Sequence, residues 1–549
     1  MRAAHRVSDV RSAEQALLAT VPDGTLMQRA AAGLASVCMG LLDHVYGARV
    51  VVLAGSGDNG GDALFAGTLL ARRGARVVAV AAGSRLHEAG SAALLAAGGT
   101  VVPARAPAAS AATAGPPATS PAALAVDGLP TAVAGLPTPP VGQGGGDHTL
   151  SAIGLLARSE IASADLIIDG LTGIGGSGGL REPAAALARL TEVARLEGAV
   201  VVAVDLPSGV QADTGEVAGA AIHADATVTF GTWKPGLLID PAAERAGAAR
   251  LVDIGLGPYL ASPAVVAMQA ADVATVLPRP AAESDKYRRG VLGVVAGSEQ
   301  YTGAAVLAVG AAIHGGAGMV RLVAPQQVLR VVRQHWPEAV LTDADADASA
   351  GDPGDAIGAA GRVQAWVAGP GMGTSEAATR RLAAVLATGL PVLVDADGIT
   401  ILAAHPELLR REAPTVITPH AGELARLLNA DRADIEARRL HYATVAAARL
   451  GVTVLLKGST TVIARPDPGE PVFVNPTGTS WLATAGSGDV LSGLTGSLLA
   501  QGAGAQRAAA AAAYLHGIAA RIAADGAPIG AANLIASLPA AIRTVTGAS

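Results

Sequence analysis

Cysteine is almost absent from this chain of 549 residues, where Cys38 stands alone. One thiol builds neither a disulfide framework nor a cysteine zinc site. Cys38 lies in an apolar stretch and reads as a packing residue. Charge is scarce as well: 15% of the residues are charged and the formal net charge is -6. That balance argues against nucleic acid as the main partner. Half of the chain is hydrophobic (51%), so core material is ample. The opening residues MRAAHRVSDVRSAEQ lack an apolar core segment, so no secretory leader is expected. The longest alanine-rich run, 508–513, leads into Tyr514, His516 and Arg521, which fits a buried helix better than a membrane span. No membrane partner is expected, and the expected location is the cytoplasm.

Lysine and asparagine are nearly missing too. Of 39 basic residues only Lys234, Lys286 and Lys457 are lysine, and the asparagines are Asn59, Asn429, Asn475 and Asn533. In a chain so biased toward arginine, a retained lysine suggests a place for a compact point charge where a guanidinium fork does not fit; chance survival is the other reading. All three lysines, Asn59 and Asn475 fall inside the motifs below.

What is present is an alternation of apolar runs and amphipathic stretches. Runs at 49–54, 76–81, 166–169, 200–204 and 226–230 read as strands, mostly separated by helical patterns. A second series follows at 291–296, 319–323, 365–368, 392–395, 415–417, 452–456 and 461–464. Alternation of this kind predicts parallel sheets covered by helices on both faces. The chain is long enough for two to four domains, and a Pro-containing stretch at 277–284 separates the two series. The boundary is expected near 270, giving α/β domains 1–270 and 271–549. The segment 103–146 is dominated by Ala, Pro, Gly, Thr and Ser and is expected to be a disordered insertion.

Three loops of the first half follow strand ends. The run from Val51 to Gly74 is strand, glycine-rich turn and helix, with Gly55, Gly57, Gly60 and Gly61 permitting close backbone approach to a phosphate. Within it Asp58, Asn59, Gly60, Gly61 and Asp62 are candidate substrate contacts. Asp169 opens a loop of Gly173, Ile174, Gly175, Gly176, Ser177, Gly178 and Gly179, and Asp205 opens the run to Gly209 through Ser208. In a parallel sheet such ends face one crevice. Asn59, Asp169 and Ser208 thus offer oxygens to one cation; Asp169 serves equally as a general acid or base, or either aspartate as a plain helix cap.

These motifs, with Leu180–Pro183 and Thr229–Gly236, resemble the NAD(P)HX epimerases. The resemblance implies a Rossmann-like three-layer domain that interconverts the R and S forms at C6 of the hydrated nicotinamide ring. It implies a catalytic role for Asp169, K+ held by Asn59, Asp169 and Ser208, and substrate contacts from 173–179 and Asp205. The sequence departs from the family pattern in three respects: Asp58 stands for a usual asparagine, Ala63 for a usual glycine, and no lysine occurs between Met1 and Gly231.

In the second half, Thr484–Gly493 reads as an anion hole: Ala485, Gly486, Ser487 and Gly488 aim N–H groups at a phosphoryl group, on the N-terminus of an apolar helix. Asp489 sits where a base takes a hydroxyl proton; a capping aspartate is the plainer reading. Lys457, Gly458, Ser459, Thr460 and Thr461 join two strands and are candidates for nucleotide phosphate or ribose. Asn475–Gly478 is either a turn shaping the hole or a surface turn. Further loops lie at Gly369–Gly373, Asp395–Gly398 and Thr418–Glu423; His420 reads as a ligand contact or a satisfied loop histidine, and Glu423 as a group orienting a metal-bound water. In order, these pieces resemble the ribokinase-like superfamily, and within it the ADP-dependent NAD(P)HX dehydratases, together with Lys286–Gly290, Ala296–Ala305 and Gly315–Gly318. The resemblance implies that Ala304, Gly371 or Gly373, His420 and Asp489 contact the hydrated dinucleotide, while Lys457–Thr461 and Gly488 contact ADP, with Mg2+ on the phosphates. Ser487 for a usual threonine and Ala485 for a usual glycine keep the loop small. The expected partners are NAD(P)HX, ADP and, as a homo-oligomer, further copies of the chain. Two other readings stand beside this one: a small-molecule kinase, and a non-catalytic N-terminal binding or assembly module.

Overall fold

The computed structural model describes residues 1–105, 153–176, 178–279, 281–345 and 354–547. The first nine strands in chain order are β1 (Arg2–Ala4), β2 (Arg49–Ala54), β3 (Arg76–Ala81), β4 (Thr100–Pro103), β5 (Leu166–Gly170), β6 (Val200–Val204), β7 (Ala226–Phe230), β8 (Ala248–Val252) and β9 (Val265–Ala267). The next nine are β10 (Val291–Val295), β11 (Met319–Ala324), β12 (Val340–Asp343), β13 (Ala365–Ala368), β14 (Val392–Val394), β15 (Thr415–Ile417), β16 (Thr453–Leu456), β17 (Thr461–Ala464) and β18 (Val472–Asn475).

Seven strands form a parallel sheet in the order β4-β3-β2-β5-β6-β7-β8. Its central strands are runs of Val, Ile, Leu and Ala buried on both faces, as a helix-covered parallel sheet requires. Along β2, Val50 and Val52 join one core layer with Leu34 and Ala63, while Val51 and Leu53 join the other with Ala157 and Leu187. The result is the expected Rossmann-like three-layer α/β unit. The strand order reverses between β2 and β5, so the loops after these two strands open the crevice where such sheets bind ligands.

The other eleven strands run β1-β9-β18-β17-β16-β15-β14-β13-β10-β11-β12. From β12 to β16 the neighbours are parallel, and β16, β17 and β18 are antiparallel. The sheet belongs to the second α/β unit, expected as ribokinase-like. The helix Ser487–Ala500 is buried from Val490 onward and crosses the helix Thr302–His314. That crossing needs glycine: a Cβ on Gly493 would stand 2.0 Å from the Ala308 carbonyl oxygen. The alanine-rich helix Ala505–Ala524 is buried in the same core. Among the described residues no helix is long and apolar enough to cross a membrane.

The sheets do not part where the chain was expected to. β1 and β9 both precede residue 270, yet they hydrogen-bond into the second sheet, β9 beside β18 and β1 beside β9. The insertion also begins later than 103: Pro103 closes β4, Ala104 is buried and Arg105 pairs with Ile153. Residues 106–146 and Ser177 lie outside the described residues. β1, β4, β8, β9, β12 and β18 were not among the expected runs. β1 and β9 are only three residues long, and β8 and β12 are exposed or half-buried throughout, so neither pair carries a marked apolar period.

Candidate active sites

The first site lies at the crevice between β2 and β5. Gly60 is required there, because a Cβ on it would meet the Gly55 carbonyl oxygen at 2.3 Å. Beside it Asn59 directs Nδ2 to the carbonyls of Val204 (2.6 Å) and Thr172 (3.3 Å). Asp169, at the end of β5, is wholly buried. Its Oδ1 accepts from Ser208 Oγ (2.6 Å) and Leu171 N (3.2 Å), and its Oδ2 from Ser208 N (2.7 Å). Ser208 Oγ also accepts from Thr172 N at 2.9 Å. Asn59, Asp169 and Ser208 are thus brought together around two backbone carbonyls. Burial pushes the Asp169 carboxyl up to about 6, against the hydrogen bonds from Ser208 and Leu171. Both Asp169 oxygens accept hydrogen bonds, so this carboxyl anchors the loop carrying Ser208.

The donor set suits a monovalent cation in kind: backbone carbonyls, a hydroxyl, an amide and one carboxylate. The carbonyls of Thr172 and Val204 already converge on one polar atom, the Asn59 amide nitrogen. A cation at that point needs the Asn59 amide turned so that Oδ1 faces it. Among the described residues no group of three His, Cys, Asp or Glu side chains forms a metal cluster.

The other candidates separate into two sets. Asp58 is exposed in the first turn of the helix Asp58–Ala71. The loop beyond Asp169 folds back on itself through Gly176 N to Gly173 O (2.9 Å), and Ile174 packs partly buried against the core. Gly173 abuts Asn59, where a Cβ would stand 2.2 Å from Oδ1, and Gly175 lies beside Arg11. Gly178 and Gly179 lie farther along, Gly179 against Gly219. Asp205 is nearly buried at φ 66, and its Oδ1 accepts from Thr229 Oγ1 (2.9 Å), Phe230 N (3.2 Å) and Lys234 Nζ. Lys234 is 1% exposed and also donates to Thr229 Oγ1 (3.0 Å) and Phe230 O (3.1 Å). This lysine is therefore saturated by protein groups and is not available to substrate phosphates. Asp205 offers a substrate only Oδ2.

Sequence reasoning named Asp62 only as a binding position, and it missed Glu14. Burial pushes Asp62 up to about 8, aided by Asp205, Asp58 and Glu14, and its buried Oδ1 has no partner among the described residues. Burial also raises Glu14, with Lys234 opposing. Nothing in the spacing of either residue signals this, because the effect comes from helices packed together.

The second site gathers on the loops after β10, β13, β14, β15 and β16. Gly371 touches Ala304, where a Cβ would stand 2.8 Å from the alanine Cβ, and Gly373 N donates to Asp397 Oδ2 at 2.9 Å. His420 caps the helix Ala421–Leu428, its Nδ1 accepting from Gly422 N (3.0 Å) and Glu423 N (3.2 Å). That geometry assigns the proton to Nε2; the ring is 56% exposed and its Nε2 faces Glu423 Oε1 at 3.6 Å. Glu423 differs from the expectation of a water-orienting group: its Oε2 accepts from His420 N at 2.8 Å and faces Lys457 at 3.9 Å. Lys457 Nζ donates to Asp395 Oδ1 at 2.8 Å, and Ser492 Oγ donates to Asp395 Oδ2 at 2.7 Å. Burial opposes the Lys457 charge, but Asp395 and Glu423 outweigh it and raise its pKa.

Gly486 opens the helix Ser487–Ala500 at φ 86 with no side-chain cap. A helix start of this kind leaves N–H groups of the first turn for an anion. Gly488 lies beneath Lys457, where a Cβ would be 3.4 Å from Nζ. Asp489 follows in the same turn. Burial first, and the neighbouring Asp395 carboxylate second, push it up to about 7. Asn475 is tied to the long helix through Ala513 O (2.9 Å), so its turn is held against the hole. Gly458 and Ser459 are exposed on the loop beside it. Thr460 is not free for a nucleotide: its hydroxyl donates to Asp240 Oδ2 (2.8 Å) and accepts from Asp240 N (3.2 Å). Thr461 begins β17.

Two family models match the chain, the YjeF-related protein N-terminus over residues 23–140 and 141–236, and NAD(P)H-hydrate dehydratase over residues 292–539. The bifunctional NAD(P)H-hydrate repair enzyme Nnr of Mycobacterium leprae is 45% identical over 557 residues, covering 100% of both chains. The chain belongs to this family of bifunctional NAD(P)H-hydrate repair enzymes. The Mycobacterium tuberculosis (strain CDC 1551 / Oshkosh) protein of the same name is 44% identical, over 93% of this chain and 92% of its own. Among solved structures, the ADP/ATP-dependent NAD(P)H-hydrate dehydratase from Bacillus subtilis co-crystallised with ATP/Mg2+ is 29% identical, with a TM-score of 0.45 over 50% of this chain and 97% of that one. In this repair-enzyme family member the first matched region holds Asn59, Asp169 and Ser208 and the second holds His420, Lys457 and Asp489, while β1, β8 and β9 lie outside both.

Proposed function

We propose that this chain repairs hydrated NADH and NADPH, its first half interconverting the R and S epimers of NAD(P)HX and its second half dehydrating the S form with ADP to NAD(P)H, AMP and phosphate. The observation that carries the dehydratase reading is Asp489: a base of pKa about 7 in the first turn of an uncapped helix, beside Lys457 and Gly488. Asp489 takes the proton of the C6 hydroxyl while that oxygen attacks the terminal phosphorus of ADP, and AMP leaves. The new phosphate ester departs from C6 as phosphate, pushed by the ring nitrogen, and a C5 proton is lost to the departing phosphate or to water, which restores the C5=C6 double bond of the dihydronicotinamide ring. First-turn N–H groups and Lys457 balance the charge on the transferring group. His420 Nε2 is placed to donate to the dinucleotide. Mg2+ arriving with the nucleotide phosphates would be held there by those phosphates and the Asp397 carboxylate, and would supply charge neutralisation.

In the first half Asp169 exchanges a proton through the Ser208 hydroxyl, near neutral pH, as the C6 hydroxyl leaves as water and water returns to the opposite face. K+ at Asn59, Asp169 and Ser208 would order the three loops. Recovery of 340 nm absorbance from a mixed-epimer NADHX preparation, with ADP and Mg2+, tests both halves. Complete recovery supports the full reading. Recovery that stops at the S portion leaves only the dehydratase. A phosphorylated product that persists without recovery favours the small-molecule kinase.

A further inference from the structure

A cavity of about 810 Å³ runs from the anion hole to the first half of the chain. One end is lined by Lys457 and Gly488, the other by Trp233, Asp240, Ala243 and Glu244. Its charge is graded. The first end offers an ammonium and a helix N-terminus; the second carries the Asp240 and Glu244 carboxylates beside the Arg2 guanidinium, so its charges largely offset. A diphosphate therefore belongs at the first end and an uncharged nucleoside at the second. Its size falls in the range of sites that enclose small organic ligands.

The far wall is built, not incidental. Asp240 uses both carboxylate oxygens, Oδ1 accepting from Glu244 N (2.9 Å) and Oδ2 from Thr460 Oγ1 (2.8 Å), across 220 residues of sequence. The nucleotide loop is thus pinned to the first half at its most buried residue. Trp233 is half-buried and held from one side by the Arg2 guanidinium, 5.1 Å from its ring centroid. Ala4 pairs with Trp233 and leads through β1 into the second sheet, so the ring is fixed relative to both units.

We propose that the first half of the chain supplies one wall of the nucleotide pocket, with Trp233 as the surface that receives the base of the nucleoside diphosphate and Asp240 as the residue that positions the Lys457–Thr461 loop. This rests on the nucleotide reading above. It makes the second half dependent on the first for nucleotide affinity, a coupling that a dehydratase alone lacks.

Titration of the full-length protein with ADP, and separately with inorganic pyrophosphate, tests it. Trp233→Leu keeps apolar volume but loses the aromatic face, and is expected to weaken ADP about tenfold. Pyrophosphate binding stays within about twofold, since it occupies only the phosphate end. Trp233→Phe retains ADP binding within about threefold. Should Trp233→Leu fail to fold, Ala243→Trp fills the same end with a ring and is expected to block ADP while sparing pyrophosphate. ADP binding unchanged in these variants overturns the inference, as does equal loss of ADP and pyrophosphate. A wild-type protein that binds ADP through Trp233 but restores no NADH leaves the wall standing and sinks the repair reading. One that binds pyrophosphate but no ADP overturns both.

Discussion

At Asp489 a single carboxyl carries a proton affinity that matches its task. Asp489→Asn keeps the size of the side chain and removes the base, so dehydration followed at 340 nm should fall by about 10²–10⁴-fold with ADP still bound. The same group sets a pH profile. Its pKa is raised to about 7, and the base must be ionised to accept a proton. The dehydration kcat/KM should therefore fall about tenfold per pH unit below about 7 and level off above it; a flat profile down to about pH 5.5 would remove Asp489 as the base. Lys234 illustrates the opposite use of a charge. It is buried against Asp205 with three protein acceptors. Lys234→Met leaves Asp205 unpaired and should cost about 3–5 kcal/mol of stability in denaturant unfolding, whereas a phosphate-binding role would leave stability unchanged. The scarcity of lysine in the sequence marked all three positions as special, but it did not distinguish a structural point charge (Lys234) from one facing a cavity (Lys457).

Among the elements, the helix Ser487–Ala500 ties chemistry to packing. Its first turn faces the anion site, and the rest is buried against the helix Thr302–His314. The crossing is closest at Gly493, whose added Cβ would meet backbone oxygen rather than a movable side chain. Gly493→Ala should cost about 1–3 kcal/mol or more and shift Asp489, so thermal unfolding and dehydration rate should fall together. The glycine-rich sequence made this helix and its start legible, because small residues at a strand-to-helix turn are a local signal. The partner helix was not legible, since nothing near Gly493 in sequence names Ala308. The same holds for the central strands, whose apolar runs matched β2, β3, β6, β7, β13, β15 and β17 at both ends, while short or exposed β1, β8, β9 and β12 carry too few buried side chains to show a period.

For the whole molecule, the N-terminal strand belongs to the far sheet. β1 closes the edge of the second sheet through β9, and the Met1 amino group meets Asp272 at 2.8 Å. Removing residues 1–4 uncovers that edge and the buried contact of Ala4. For a loss of about 2 kcal/mol, the unfolding temperature should drop by roughly 4–8 °C, with the drop carried by the transition that reports the second half. A drop confined to the first half would mean that β1 does not hold the two units together. The order of motifs along the chain, the two series of parallel strands and the cluster of Asn59, Asp169 and Ser208 follow from the sequence by itself, because strand-end loops of one parallel sheet must share a crevice. Tertiary structure alone decided which of those groups are free. Thr460 is taken by Asp240, Lys234 by Asp205, and Asp169 by Ser208, while Asp62 is left buried with an oxygen unpartnered among the described residues. Hydrogen-bond pairing and desolvation are set by neighbours that are distant in sequence, so no local pattern can encode them.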